Sequence, residues 1–245
     1  MKPLKYYEFG FCTSESKLPD STFYKNPSKD KLFSKMKNEF GSKEYIDNKL
    51  FFPNNNNNYT ADQKIPNDNI KFYDFYLDKD AISPDDFMRS IEINQSFGFF
   101  VSSRCKELLS SFLLPSHKYY PLKVIHDETS YDFYFLLIAK NNVKINYKNS
   151  TFVERFDTSN EVPIFNYNDL LVLKEKSESA PALYKTADIK EKEIVFDKAP
   201  DIYPVVTRSN SFFYFSESLK NVLEKEKITG FEFYKASAPL FFSNQ

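Results

Sequence analysis

Apolar residues along the chain recur with two different periods, and each period marks a kind of element. In "SSRCKELLSSFLLP" the positions Cys105, Leu108, Leu109 and Phe112 fall at i, i+3, i+4 and i+7, the spacing of one helical face. Ser102 stands where a helix takes a capping hydroxyl, and Pro115 closes the segment. "FSESLKNVLEKEKITG" repeats the scheme, with Ser216 as cap, Leu219, Val222 and Leu223 inward, and Gly230 at the expected stop. The two segments align at Ser102/Ser216, Lys106/Lys220 and Leu109/Leu223, a match that a duplication and a shared cap-and-stripe rule both explain. Upstream, "NPSKDKLFSKMKNEFG" predicts a helix between Asn26–Pro27 and Gly41, with Leu32, Phe33, Met36 and Phe40 on its apolar side. "SPDDFMRSIEI" predicts another, capped by Ser83, opened by Pro84, and with Asp86 three residues after the cap.

Between these segments the pattern turns to strands. "IKFYDFYLD" (70–78), "YYPLKVI" and "YDFYFLLIA" are rich in aromatic and branched residues, and the last is apolar on both faces, as a central strand is. "VKINY" alternates, placing Val143, Ile145 and Tyr147 inward and Lys144 and Asn146 outward. "DLLVLKE", "PALYKTADI", "EIVFD" and "FEFYKA" read as further short strands. Runs of strands broken by a few helices predict an α+β fold, a largely antiparallel sheet with flanking helices. The proline-punctuated Asn-rich stretch at 53–69 reads as a long loop. It falls within an N-terminal α+β region, residues 1–95, which is either a separate lobe or part of the same domain as residues 96–245.

Composition narrows the function. The 245 residues carry 33 basic and 34 acidic side chains with a pI near 6.2, which is not the footprint of a nucleic-acid binder. Aromatics reach 18%, with 27 Phe and no Trp, so the core is expected to be built largely of phenyl rings. Cys12 and Cys105 are too far apart and too few for a disulfide framework or a zinc site. The opening residues lack the apolar core of a signal peptide, and no run approaches the ~20 apolar residues of a membrane span. A cytoplasmic protein is expected.

Candidate chemistry is sparse. Asp85 and Asp86 form a carboxylate pair, but first-turn acids facing a helix's positive end explain them better than acid/base or metal chemistry. His117 and His126 are the only histidines; His126, Asp127, Glu128 and Asp132 cluster in sequence and could serve a metal or a general base. Their place between two strand patterns makes a hairpin loop the simpler account. Four glycines cannot assemble a phosphate-cradling loop, and Ser102 and Ser216 are explained by capping, not by nucleophilic roles. "YDFYLDKD" mixes aromatics and acids as an interface does, yet suits an edge strand better. No enzyme and no cofactor are expected.

The second half, roughly residues 99–237, resembles the immunity proteins of bacterial polymorphic toxin systems. The resemblance is carried by the serine-capped helix ending near "LP", "YYPLKV", "YDFYFLLIA", "NSTF" at Asn149–Phe152, and the closing "S-E-x-L-K-x-x-L … I-T-G-F-x-F". It implies a non-catalytic cytoplasmic protein that binds and neutralises one cognate toxin domain, without nucleic acid or membrane as partner. The family has no fixed active-site residues, so none is assigned here. A generic interaction or structural module of a secretion or phage-related assembly is the alternative. A metal-assisted hydrolase centred on His126, Asp127 and Glu128 is a third reading.

Overall fold

The computed structural model describes residues 2–11, 74–77, 83–88, 98–140, 143–179, 189–206 and 213–243. The helix expected at 26–41, the Asn-rich loop and Cys12 lie outside them. The described residues form a sheet-rich α+β fold in which most strand pairs are antiparallel and three α-helices flank the sheets.

One sheet is assembled from the middle of the chain. It holds β3 (Phe75–Tyr76), β4 (Phe87–Met88), β5 (Gly98–Ser102), β6 (His117–His126) and β7 (Thr129–Ile138) in the order β3-β6-β7-β5-β4, with helix α1 (Ser103–Leu109) between β5 and β6. β7 is central, in keeping with its two apolar faces, and β3 is an edge strand parallel to β6. After α1 and β7 the chain passes through a 3-10 turn (Tyr147–Asn149), β8 (Thr151–Glu154), β9 (Glu161–Val162) and helix α2 (Tyr167–Ser179). It then builds β10 (Ile189–Phe196), β11 (Ile202–Pro204), β12 (Phe213–Ser216), helix α3 (Glu217–Lys225), β13 (Phe231–Lys235) and β14 (Leu240–Phe242). The opening residues supply β1 (Lys2–Leu4), which pairs with β14, and β2 (Tyr6–Phe11), which lies between β12 and β13.

These later elements repeat the first sheet. The antiparallel pairs β4/β5, β5/β7 and β6/β7 have counterparts in β11/β12, β12/β2 and β13/β2, and the parallel pair β3/β6 has one in β10/β14. The register agrees residue by residue. Ser102 and Val101 face Phe133 and Tyr134; Ser216 and Phe215 face Tyr6 and Tyr7. Lys106 then reaches back over Tyr134, 3.7 Å from the ring centre, and Lys220 over Tyr7, at 4.9 Å. The repeat is permuted: the strand that should end the second unit is supplied by residues 2–11. The sequence identities at Ser102/Ser216, Lys106/Lys220 and Leu109/Leu223 thus coincide with a duplication of the fold.

Two carboxylates fasten the units to each other. Asp86 accepts from the Ser102 hydroxyl at 2.5 Å and from the Thr229 amide at 3.2 Å, so it ties the cap of α1 to the turn after α3. Asp201 accepts from the Ser216 hydroxyl at 2.5 Å and from the Leu113 amide at 2.8 Å, the reciprocal tie. Between the units lies a phenyl core: Phe9 stacks on Phe215 at 4.6 Å, and Phe99 meets Phe213 edge-on at 5.1 Å and Phe9 at 5.4 Å. Each ring buried this completely contributes about 1.5–3 kcal/mol.

Several expected elements differ. Residues 83–86 are not helical, and Phe87–Met88 form β4 against β5. Both of these side chains are buried, and Asp86 serves Ser102 and Thr229 in place of a helix end. "DLLVLKE" lies in helix α2, not in a strand. "VKINY" keeps its buried Val143 and Ile145 and exposed Lys144, but Ile145 makes only an isolated bridge to Phe196 before the 3-10 turn. "EIVFD" falls in β10; most of "PALYKTADI" lies outside the described residues. Helix α3 stops at Glu226 and not at Gly230. Lys227 takes the left-handed conformation (φ 52°), and Ile228 N–H donates to Leu223 O, closing the helix end. Gly230 (φ 91°) has a different role: a Cβ there would collide with Phe87 O, so only glycine lets that turn seat against β4.

Candidate interaction surface

The structure separates the two histidines and keeps His126, Asp127 and Glu128 together in one tight turn. His117 and His126 lie at opposite ends of β6, roughly 30 Å apart at 3.3 Å per residue. His117 donates through Nδ1 to Pro115 O, and its ring stands edge-on to Tyr119. His126 is buried at the hairpin base, 3.7 Å from Asp127 Oδ2, and pairs across the ladder with Thr129. Asp127 and Glu128 are the two loop residues, both with positive φ (44° and 64°), so they belong to a tight hairpin whose twist matches its strands. Asp132 is drawn away to Lys123 in an exposed cross-strand pair. Among the described residues no three His, Cys, Asp or Glu converge as metal ligands would.

Ser102 and Ser216 are committed to structure. Each oxygen accepts one backbone amide, from Cys105 and Leu219 respectively, while its proton goes to Asp86 or Asp201. Cys105 is buried on α1, and burial pushes its thiol well above the usual range, which keeps it an unreactive apolar group. Of the Asp85/Asp86 pair, Asp86 is the tie described above. In the stretch 73–80, residues Phe75–Tyr76 are an edge strand, as its composition suggested; residues 73 and 78–80 lie outside the described ones.

Between the two units the chain makes an unduplicated excursion, residues 143–179, whose β8 and β9 extend the sheet of β10. Its hairpin and helix carry the two most exposed large apolar side chains among the described residues, Phe156 at 83% and Phe165 at 75%. Both sit on locally fixed frames. At the hairpin tip Asp157 accepts from Ser159 N–H (3.1 Å) and Oγ–H (2.6 Å), and its carbonyl accepts from Asn160 N–H. These bonds, the Ser159 hydroxyl foremost, hold the Asp157 carboxyl below its ordinary range. Asn160 Nδ2 closes the loop onto Glu154 Oε1 at 2.9 Å. The Arg155 guanidinium stands 5.9 Å from the Phe156 ring.

Phe165 is pinned at the start of α2. Its amide and that of Asn166 donate to Asp169 Oδ2 at 2.8 and 3.1 Å, and Asp169 N–H donates back to Asn166 Oδ1. This reciprocal cap anchors the backbone under Phe165, while the preceding Ile164 is buried in the core. β9, between the two aromatics in sequence, is the edge of its sheet. Two phenyl rings and a guanidinium on preformed backbone can bury apolar area on a partner with little ordering cost. Sequence reasoning did not single out Phe156 or Phe165. The signal was an aromatic set directly before turn and cap residues, "FDTSN" and "FNYND". No known protein family matches the sequence, and no curated protein matches it.

Proposed function

We propose that this chain is a non-catalytic immunity protein that binds and neutralises a cognate bacterial toxin domain, with residues 143–179 as the recognition element. The observation that carries the reading is the pair Phe156 and Phe165, solvent-facing aromatics held on hydrogen-bonded turns and outside the duplicated sheets. A soluble chain that leaves two such rings exposed gains nothing in folding from them; a binding site gains most of its energy from a few anchors of this kind. The reading agrees with the resemblance of residues 99–237 to immunity proteins and with the structural use of Ser102, Ser216 and the His126 turn. Tight inhibition by such a surface involves an interface of about 1,600 Å² in total.

The test is growth rescue. The C-terminal domain of the protein encoded beside this chain is expressed alone, with this chain, and with the Phe156→Ala/Phe165→Ala variant. Toxicity that the chain cures and the equally abundant, folded variant does not cure supports the reading. Toxicity cured equally by both moves recognition away from the excursion. A harmless neighbour, or toxicity that persists with abundant soluble chain, overturns the immunity assignment.

A further inference from the structure

At the junction of the two units lies a half-open pocket of about 180 Å³, lined mainly by Leu113, Leu114, Pro115, Val143 and Pro200, with Ser116, Lys144 and Lys198 as its polar lining. Its place in the fold is informative because the duplication supplies a comparison. In the second unit the turn after the helix packs shut: Gly230 lies so close to Phe87 O that no side chain fits. In the first unit the corresponding turn carries Leu114 and Pro115, which line an open pocket together with Pro200. The opening is fixed and not a loose loop. Leu113 N–H donates to Asp201 Oδ2 and Asp201 N–H to Leu113 O, at 2.8 and 2.7 Å.

Size and charge together define an occupant. A dry apolar cavity of about 150 Å³ accepts benzene, so this one accepts a single phenyl ring but lies well below the roughly 300–1,000 Å³ of small-molecule sites. The lysines are both exposed, and neither takes part in an ion pair among the described residues. Carboxylates on the same segment are already engaged: Asp197 by Asn146 Nδ2, Asp201 by Ser216 and Leu113. Asp197 and Asp201 keep their negative charge, but neither forms an ion pair with Lys144 or Lys198, so the pocket offers two unpaired ammonium groups beside an apolar floor.

We infer that this pocket is an anchor site for an aromatic side chain flanked by a carboxylate on the partner's surface. The inference rests on the proposed function only in taking the partner to be a protein. Val143 and Lys144 begin the excursion that carries Phe156, so the pocket adjoins the proposed recognition element in the chain. The anchor would supply the buried centre of the contact and the lysines its charged rim.

The probe is N-acetyl-phenylalanine, with its neutral amide as comparison, titrated into the full chain while the methyl resonances of Leu113, Leu114 and Val143 are followed by NMR. Saturable shifts at these methyls are expected, with the amide about fivefold weaker because two exposed charge contacts are lost. The Lys144→Glu/Lys198→Glu variant, altered only at exposed positions, should bring the acid down to the affinity of the amide or below and leave the amide unchanged. No saturable shift, or equal binding of acid and amide, overturns the inference. Probe binding that persists when growth rescue fails would remove the toxin as partner and keep the pocket. Rescue without probe binding would keep the toxin and dismiss the pocket.

Discussion

If Asp86 and Asp201 are equivalent fasteners of a duplicated fold, removing either should have the same effect. In Asp86→Ala, the Ser102 hydroxyl and the Thr229 amide lose a charged acceptor; in Asp201→Ala, the Ser216 hydroxyl and the Leu113 amide do. Hydrogen bonds to a charged group contribute about 1.5–3 kcal/mol each, so two amount to roughly 3–6 kcal/mol. Both carboxylates are half-buried, and water can enter the vacated site, which argues for the lower end. Each variant should therefore lose about 3 kcal/mol, or about 6–12 °C in Tm at 2–4 °C per kcal/mol. Urea unfolding followed by far-UV circular dichroism and tyrosine fluorescence measures it, and the slope with denaturant should stay constant while the midpoint falls. Glu107→Ala, which removes an exposed carboxylate on α1 that makes no hydrogen bond or ion pair among the described residues, is the control and should change stability by less than about 0.5 kcal/mol. A loss below about 1 kcal/mol at either tie, or losses differing several-fold, would refute the equivalence and the reciprocal fastening drawn from it.

Three further outcomes follow from named geometry. Glu128→Gly should stabilise the protein by up to about 1 kcal/mol in the same urea assay, because Glu128 occupies a left-handed hairpin position that glycine adopts without strain; a destabilised variant would contradict the turn. Gly230→Ala should cost at least about 3 kcal/mol, since its φ of 91° and the Phe87 carbonyl both exclude a methyl group; unchanged stability would show that the turn can reseat. Alkaline unfolding should begin only above pH 10. Burial raises the phenols of Tyr6, Tyr119, Tyr147 and Tyr203, and Tyr203 is held further by donating to Glu191 at 2.6 Å. The folded state thus keeps these protons more tightly than the unfolded chain, whose phenols titrate near 10. Their contribution is complete below about pH 10 and is lost as pH rises through the folded values. Tyrosinate absorbance should rise for them only with unfolding; ionisation near the ordinary pH in a chain still folded by circular dichroism would count against it.

The sequence made α1 and α3 legible because each begins with a serine that does two jobs, capping and reaching an acid, and then runs a helical stripe that ends in the core. The central strand β7 was legible from its apolar run. Where the reading went wrong, tertiary partners overruled local signs. "SPDD" has the residues of a helix start, but Asp86 bonds to Ser102 and Thr229 instead, and Phe87 and Met88 are both buried, as a short strand permits. "DLLVL" is a short apolar run, ambiguous between strand and helix; the Asn166–Asp169 cap that decides it sits just upstream. The sequence left the duplication undecided between common origin and a shared cap-and-stripe rule, because its second unit takes one strand from residues 2–11 and little more than cap and stripe residues coincide. The exposed rings Phe156 and Phe165 carry no periodic signal at all, since nothing in the fold requires them.

The position of residues 2–11 also governs when the protein can become whole. Lys5 and Glu217, 212 residues apart, meet across the second unit, while His126 and Thr129 close the first unit by a local hairpin. Closing a loop of about 200 residues instead of about 10 costs roughly 3 kcal/mol more in chain entropy. During synthesis the first unit can form on the ribosome, whereas the strands of residues 2–11 must wait for those of residues 213–242. Lys2 stands beside Phe242, so a permuted gene that moves residues 2–11 behind residue 243 would convert that distant pairing into a neighbouring one. Such a chain should reach the same native state faster, with its order of assembly rewritten and its contacts untouched.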